Sequence, residues 1–246
     1  MAYRDPLEAV LFDMDGTLVD SEKVWDVGLT ELAHRYGGEL SAAARARMVG
    51  TSMTESMAIL HDDLGQPWRD PHGSVEWLER RVKELFALGL VWRPGAAELL
   101  ASVHAAGIPM ALVTATRRHL VDVALVTIGE HYFRAVVAGD EVDQTKPHPE
   151  PYLTAASLLG ADPARCVAVE DSPTGVASAR AAGCVVLAVP CEIELPDAGG
   201  VTVVDSLTGV DLPYLRRLVS SAPGVSLASG PDRVRPADAD RAPAAP

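Results

Sequence analysis

The sequence predicts an α/β protein in which a parallel sheet core is interrupted, after its first strand, by an inserted all-helical segment. Two observations carry this prediction. Short apolar runs alternate with helical periodicity over most of the chain, which is typical of parallel strand pairing. The stretch 20–92 shows helical periodicity alone. We therefore assign a core to residues 1–19 and 93–221, a helical segment to 20–92 and a disordered tail to 222–246, which lacks apolar periodicity.

The first strand is the apolar run 9–12, whose continuity is typical of a strand buried on both faces. Four helices follow, each with apolar residues at helical spacing. The first starts at Glu22 and stops at the glycine pair 37–38, and Ser41 caps a short second helix. The third covers 54–64. A polar, proline-marked break at 66–73 precedes a longer fourth helix that ends near residue 86.

Beyond Pro94 and Gly95 the alternation of strand and helix returns. The predicted strands are 108–114, 135–138, 166–169, 185–189 and a short 201–204. The predicted helices are 96–106, 117–128, 149–159, 173–182 and a last one outlined by apolar residues between 212 and 219. This order implies parallel strands joined by right-handed crossovers.

Charge and cysteine content exclude several classes of function. The net charge of −13 over 246 residues argues against binding to a nucleic-acid backbone, which needs a basic face. A small anionic substrate stays compatible, because a bound cation reverses the field locally. Cys166, Cys184 and Cys191 have no zinc or redox spacing, and we expect them to be buried. Without a leader or an apolar run of membrane-spanning length, we expect a cytoplasmic monomer with no membrane partner.

The first strand ends in two carboxylates one residue apart, Asp13 and Asp15, followed by Gly16. In an open parallel sheet, ligands bind beyond the carboxyl ends of the strands, so both side chains are expected at a site. Two carboxylates this close repel each other unless a cation lies between them or one keeps its proton. Asp and Gly also shape ordinary turns, so this pair alone leaves both interpretations open.

The loop Asp13-Met14-Asp15-Gly16-Thr17-Leu18-Val19-Asp20-Ser21 resembles the signature loop of the haloacid dehalogenase-like phosphohydrolase superfamily. Its trailing Leu-Val-Asp-Ser is similar to the branch with a helical cap inserted after the first strand. That branch includes sugar phosphatases, phosphoglycolate phosphatase and β-phosphoglucomutase. The resemblance implies a Rossmann-like core and a cap formed by 20–92.

Two further groups fit a phosphoryl site. Thr114 ends a predicted strand next to a helix start, where unpaired N–H groups and a hydroxyl suit a phosphoryl oxygen. Lys146 lies in the proline-rich turn 145–152, which resembles the superfamily's lysine motif, and a cation fixed there suits a transferring phosphoryl group. Met14 and Ala115, neighbours of these groups in the chain, are predicted as additional substrate contacts. His148 is expected to be structural.

A second buried strand ends in adjacent acids, Glu170 and Asp171, followed by Ser172 and a helix start. Either Asp171 or Ser172 could simply cap that helix. Parallel topology places both acids at the same sheet edge as Asp13 and Asp15, however, and an oxygen-only ligand set matches Mg²⁺ better than zinc. The sequence therefore predicts a magnesium site formed by these four acids, and the pair also resembles the family's metal-binding acids.

These groups together predict a Mg²⁺-dependent phosphomonoester hydrolase acting on a small phosphorylated metabolite. Asp13 is expected to attack phosphorus and form an aspartyl-phosphate, and Asp15 to act as acid and then base. The resemblance implies that Asp15 contacts the metal through its backbone carbonyl. Lys146 and Thr114 would neutralise and orient the phosphoryl oxygens.

Four other functions occur on this fold. In β-phosphoglucomutases the cap carries a His and an Arg where this chain has Trp25 and Met53, which weakens the mutase alternative. A phosphonate hydrolase needs a cap lysine that neither Lys23 nor Lys83 supplies, and a dehalogenase lacks the second aspartate of the loop. A non-catalytic binding protein on the same fold stays open.

The sequence gives the least specific indication of which cap residues contact the substrate. Trp25 could stack on a sugar or pack in the helical core, and its spacing favours packing. Arg47 could contact a substrate anion or lie in solvent. Both residues are candidates for substrate binding.

Overall fold

The computed structural model describes residues 5–48, 51–191 and 200–222. They form an α/β protein whose six-stranded parallel sheet has the order β3-β2-β1-β4-β5-β6. The strands are β1 (Ala9–Phe12), β2 (Met110–Val113), β3 (Ala135–Val137), β4 (Cys166–Glu170), β5 (Val185–Ala188) and β6 (Val201–Val203). The predicted fold class, a Rossmann-like parallel core with inserted helices, is confirmed.

Nine α-helices occur in the described part of the chain. They are α1 (Glu22–Arg35), α2 (Ala42–Met48), α3 (Met53–Asp63), α4 (Pro71–Phe86), α5 (Ala96–Ala105), α6 (Arg118–Ile128), α7 (Glu150–Leu159), α8 (Pro173–Ala181) and α9 (Leu212–Ser221). Short 3-10 turns occur at Glu130–Tyr132 and Pro163–Arg165. None of the described helices combines the length and the apolar composition needed to cross a bilayer.

The central strands β1 and β4 bury every residue, because helices cover both faces of the sheet. Val10 pairs with Met110 on one side and with Val167 on the other, so β1 is the middle of the sheet. One apolar cluster lies on each face of the sheet. This burial fixes the register of the strands and hence the height at which each strand ends.

The helices α1 to α4 lie between β1 and α5 in the chain and pack mainly on one another and on α6. The chain leaves and re-enters the core side by side. Arg93 N–H donates to Leu18 O at 2.9 Å, and Asp20 N–H donates to Val91 O at 2.8 Å. The inserted segment is thus all-helical where it is described, and its assignment as a separate cap domain stays a prediction.

Some predicted boundaries were wrong for local reasons. α4 begins at Pro71, inside the predicted break, because proline suits the first position of a helix and Asp70 accepts from His72 N–H as N-cap. β2 starts at Met110 and not at residue 108, beyond Pro109, which has no N–H to donate to a neighbouring strand. Cys166 and Cys184 are buried as predicted, whereas Cys191 is partly exposed. The predicted tail lies, except for residue 222, outside the described residues.

Candidate active site

The predicted site residues come together at the carboxyl ends of three adjacent strands. Asp13 follows β1, Thr114 follows β2, and Asp171 follows β4. Because β1 lies between β2 and β4, these three strand ends are neighbours at one edge of the sheet. Lys146 reaches the same edge from the turn that precedes α7. The crevice beyond this edge is therefore the candidate active site, as the parallel topology requires.

Asp13 is at the centre of the site and is only 6% exposed. Its backbone N–H donates to Val169 O at 3.0 Å, which ties the end of β1 to β4. Its Oδ1 accepts from Lys146 Nζ at 2.6 Å, whereas its buried Oδ2 has no hydrogen-bond partner among the described residues. Burial raises the pKa of Asp13 to about 7, against the opposing effect of the Lys146 charge. A buried, unpartnered carboxylate oxygen is costly unless another group binds to it.

Lys146 is the only lysine in the core and is held by three oxygen acceptors. Its Nζ donates to Asp13 Oδ1 at 2.6 Å, to Glu170 Oε1 at 2.5 Å and to Val113 O at 2.9 Å. Burial alone would lower the pKa of Lys146, but the two carboxylates hold it above its ordinary value. The ammonium is therefore a fixed positive charge beside the free oxygen of Asp13.

Glu170 lies behind Lys146 and is completely buried. Its Oε1 accepts from Lys146 and from the Tyr152 hydroxyl at 2.6 Å. Its Oε2 accepts from Asp171 N–H and from the Ser172 hydroxyl, both at 3.2 Å. The Ser172 N–H adds a longer contact to Oε2 at 3.5 Å, so five donors surround one carboxylate and its position is determined by the protein alone.

The side chain of Asp15 accepts hydrogen bonds from three hydroxyl groups. Ser21 Oγ donates to its Oδ1 at 2.6 Å, and Thr114 and Thr116 donate to its Oδ2 at 3.1 and 2.7 Å. The turn that follows Asp15 passes through Gly16, whose φ of 77° lies in the left-handed region that favours glycine. The Asp15 carboxylate is thus positioned at the rim of the site on the β2 side.

Three of the four acids predicted as metal ligands form one cluster. Asp13, Glu170 and Asp171 each present an oxygen within 4.8 Å of the others. Burial, together with the nearby charges of Asp13 and Glu170, raises the pKa of Asp171 to about 9. The Asp15 carboxylate is bound to the hydroxyls and is not part of this cluster.

The donor set of this cluster fits a hard divalent cation. All its ligand atoms are carboxylate oxygens, which is the chemistry that Mg²⁺ prefers. The buried Oδ2 of Asp13 has no partner among the described residues, so this carboxylate can face a cation while one of its oxygens stays available to a reacting atom. Asp13 and Asp171 are the residues best placed to hold it, since Glu170 already accepts from several donors.

The two neighbours predicted as substrate contacts differ in exposure. The Met14 side chain is completely buried, so it offers a substrate only its backbone, whereas Ala115 is exposed. Within the described chain, the N–H groups of Met14, Asp15 and Ala115 donate to no other protein group. Three N–H groups around Asp13 and Thr114 are a suitable cradle for an anion.

The two predicted cap contacts are not tied to the core site by any described contact. Trp25 is half-buried and packs edge-on against Phe86, with ring centroids 6.4 Å apart. Arg47 is exposed on α2 near Asp63, and its charge contributes to lowering the pKa of that acid after the hydrogen bonds from Ser41. Their roles in substrate binding stay predictions.

Sequence reasoning missed three residues that hold the functional groups: Ser21, Thr116 and Tyr152. Ser21 ends the signature loop 13–21, and Thr116 lies two residues after Thr114. Two threonines in this spacing after a strand could have indicated that their hydroxyls bind a carboxylate. Tyr152 is the last residue of the lysine motif, but no local pattern indicates its role, because its partner Glu170 is eighteen residues away in the chain.

Comparisons with known proteins agree with this architecture. The family model for haloacid dehalogenase-like hydrolases matches residues 7–183. The chain is 36% identical to protein CbbY of Rhodobacter capsulatus, over 76% of this chain and 86% of that protein. It is 34% identical to hexitol phosphatase A of Escherichia coli K12, over 79% and 88%. The crystal structure of CbbY from Rhodobacter sphaeroides with xylulose-1,5-bisphosphate matches with a TM-score of 0.75 and 28% identity, over 85% of this chain and 99% of that chain.

The fold and the site define an enzyme with a Rossmann-like parallel sheet, an inserted helical segment and a carboxylate–lysine site. The chain belongs to the haloacid dehalogenase-like hydrolases. Within that family it is an enzyme of the phosphatase kind, as its similarity to named phosphatases indicates. The family resemblance seen in the sequence is thereby confirmed.

Proposed function

We propose that this enzyme is a Mg²⁺-dependent phosphatase that hydrolyses a small sugar phosphate through an aspartyl-phosphate at Asp13. One observation carries the proposal: Asp13 has one oxygen on the Lys146 ammonium and the other unpartnered, at the end of the central strand. A nucleophile needs an available oxygen, and a phosphoryl group needs fixed positive charge beside it. Both requirements are met within one residue pair.

Catalysis would proceed in two steps at Asp13. In the first, its free carboxylate oxygen forms a bond to phosphorus while the bond to the leaving alkoxide breaks, and Asp15 donates the proton that the alkoxide takes up. In the second, Asp15 removes a proton from water, the water oxygen attacks the same phosphorus, and Asp13 is released. Thr114 and Lys146 contact the phosphoryl oxygens in both steps.

The acidic cluster would hold the metal through Asp13 and Asp171, with Glu170 adjacent and the backbone carbonyl of Asp15 within the same loop. When bound, the cation supplies positive charge that keeps Asp13 ionised and neutralises the phosphoryl oxygens.

A phosphorylated sugar or sugar alcohol is the substrate class that the comparisons support. Hexitol phosphatase A is named for that class, and the related CbbY crystal structure holds xylulose-1,5-bisphosphate. The helices of segment 20–92 would act as the cap that covers the crevice and contacts the sugar, with Trp25 and Arg47 as candidate contacts. A cytoplasmic location and a monomeric state stay predictions.

Phosphate release from a panel of sugar, hexitol and other small phosphomonoesters tests the proposal. Each substrate is measured with Mg²⁺ and with chelator, using wild type, Asp13→Asn and the matched control Asp143→Asn, whose aspartate is exposed. We expect metal-dependent turnover in wild type and in Asp143→Asn, and a loss of at least about a thousandfold in Asp13→Asn, because the nucleophile is removed.

Acid-quench detection of a covalent phosphoaspartate in wild type, absent in Asp13→Asn, tests the intermediate separately. Full activity in Asp13→Asn would refute the mechanism. Turnover that survives the chelator would refute the metal dependence while leaving the phosphatase activity intact.

A further inference from the structure

We propose that Tyr152 is a positioning residue whose hydroxyl orients Glu170, so that Glu170 holds the Lys146 ammonium against Asp13. The contacts themselves are independent of any activity. Their catalytic consequence rests on the proposed function, since it assumes that Lys146 acts on a phosphoryl group bound at Asp13.

Tyr152 lies in α7, six residues after the lysine that it supports. It is among the largest fully buried side chains of the protein, and it belongs to the apolar cluster on the α7 face of the sheet. A tyrosine hydroxyl in such surroundings needs a partner, and its partner is Glu170 Oε1 at 2.6 Å. The polar end of an otherwise apolar side chain is thus directed at the base of the active site.

The oxygen that accepts from Tyr152 is the same one that accepts from Lys146. Glu170 Oε1 is 2.5 Å from Lys146 Nζ and 2.6 Å from the Tyr152 hydroxyl. The other oxygen, Oε2, is held by Asp171 N–H and the Ser172 hydroxyl. Without the hydroxyl, the ammonium is the only other described group that contacts Oε1. The position of the Lys146 ammonium then depends on the Glu170–Lys146 pair alone.

The ring and the hydroxyl of Tyr152 have separable effects. Lys146 Nζ lies 5.3 Å from the centroid of the ring, so the ring face also contacts the ammonium. Tyr152→Phe keeps the ring, its packing and this contact, and removes only the hydroxyl. Tyr214→Phe is the matched control, because Tyr214 lies in α9, away from the site.

The small number of lysines allows a direct readout that does not depend on turnover. The chain contains only Lys23, Lys83 and Lys146. The first two are exposed, whereas the Lys146 ammonium is buried and held by three acceptors. In protein labelled with ¹⁵N-lysine, Lys146 should give the one ammonium signal that exchanges slowly with water. We expect Tyr152→Phe to shift that signal or speed its proton exchange, and Tyr214→Phe to leave it unchanged.

Steady-state kinetics test whether the Tyr152 hydroxyl acts through Glu170. Losing a buried hydrogen bond to a charged group corresponds to a reduction of about tenfold in kcat. We expect this reduction in Tyr152→Phe with KM changed less than twofold. Because the effect passes through Glu170, Tyr152→Phe should cause no further loss when added to Glu170→Gln, whereas independent effects would multiply.

Either of two results would overturn the proposal: an unchanged Lys146 signal in Tyr152→Phe, or losses that multiply in the double variant. If wild type releases no phosphate, the proposed function fails, but the ammonium signal still tests the contact between Tyr152, Glu170 and Lys146. If Tyr152→Phe does not fold, 3-fluorotyrosine at position 152, a stronger donor of almost the same size, replaces it. A Lys146 signal that does not move with that substitution would equally overturn the proposal.

Discussion

Replacing Gly175 with alanine tests whether the Glu170 carboxylate is as confined as its surroundings indicate. A Cβ at position 175 would lie 2.0 Å from both carboxylate oxygens, whereas Cβ contacts in proteins are essentially never below 3.0 Å. The carboxylate therefore has to move by roughly 1 Å, away from the donors that hold it. Overpacking costs about 1–3 kcal/mol, and disrupting a buried ion pair costs about 3–5 kcal/mol.

Gly73 provides a matched control because it has the same position in its own helix. Both glycines are the third helical residue, after a proline at the first position and an N-cap side chain. A Cβ at Gly73 would meet nothing within 4 Å. Alanine is favoured over glycine in helices by up to about 1 kcal/mol. We expect Gly73→Ala to be neutral or slightly stabilising, and Gly175→Ala to lower the free energy of unfolding by about 2–4 kcal/mol.

Urea unfolding followed by circular dichroism gives both stabilities, and phosphate release gives kcat for the same preparations. Gly175→Ala should also lower kcat by at least about tenfold, because Glu170 carries Lys146 with it when it moves. Equal unfolding midpoints for the two variants, together with a wild-type kcat in Gly175→Ala, would show that the carboxylate is not confined and that the reasoning is wrong.

Three further predictions concern metal, acid–base and cap residues. The pKa of Asp13 is raised from 3.8 to about 7, so between these values the metal-free folded state keeps a proton that the unfolded chain has lost. The free energy of unfolding should therefore fall as the pH rises from 5 to 7, with Asp13 contributing up to about 1.4 kcal/mol per pH unit. Thermal melts with chelator measure this decline. Mg²⁺ should remove that decline, and Asp13→Asn should make it shallower without metal, the remaining slope coming from Asp171, whose pKa is also raised; a stability that rises over this range would contradict the assignment. Thr116→Val removes one donor to Asp15 and should lower kcat about 5- to 50-fold with little change in thermal stability, whereas an unchanged kcat would assign that hydroxyl no role. Arg47→Ala should raise KM for anionic sugar phosphates without altering kcat, and an unchanged KM would remove it from the substrate contacts.

Periodicity was sufficient to predict the fold because the signals are local. β1 and β4 are continuous apolar runs that end in acids, and each is buried along its whole length. The errors in element boundaries occurred at prolines, because a proline can either end one element or begin the next. Pro71 was interpreted as part of a break, although it opens α4 with Asp70 as N-cap. A proline that ends one element and a proline that begins the next have the same sequence signature, and only packing distinguishes them.

The sequence predicts where the site lies but not how its side chains are oriented. Topology predicts that Asp13, Asp15 and Asp171 meet at one edge of the sheet. It does not predict that the Asp15 carboxylate binds Thr116 and is absent from the acidic cluster, because that depends on the backbone turn at Gly16. Side-chain direction beyond the end of a strand is set by loop geometry and by partners distant in the chain, which no spacing rule contains.

The position of β1 in the sheet has a consequence for protein synthesis. β1 is made first, yet one of its two partners is β4, and Ala9 pairs with Cys166. At about 5–20 residues per second, the ribosome needs roughly ten to thirty seconds to translate from one strand to the other. Until β2 is made both edges of β1 are open, and until β4 is made one edge stays open beside an uncovered apolar face. We expect chaperones, or the helices α1 to α4 that are made next, to keep this apolar strand from pairing with other chains.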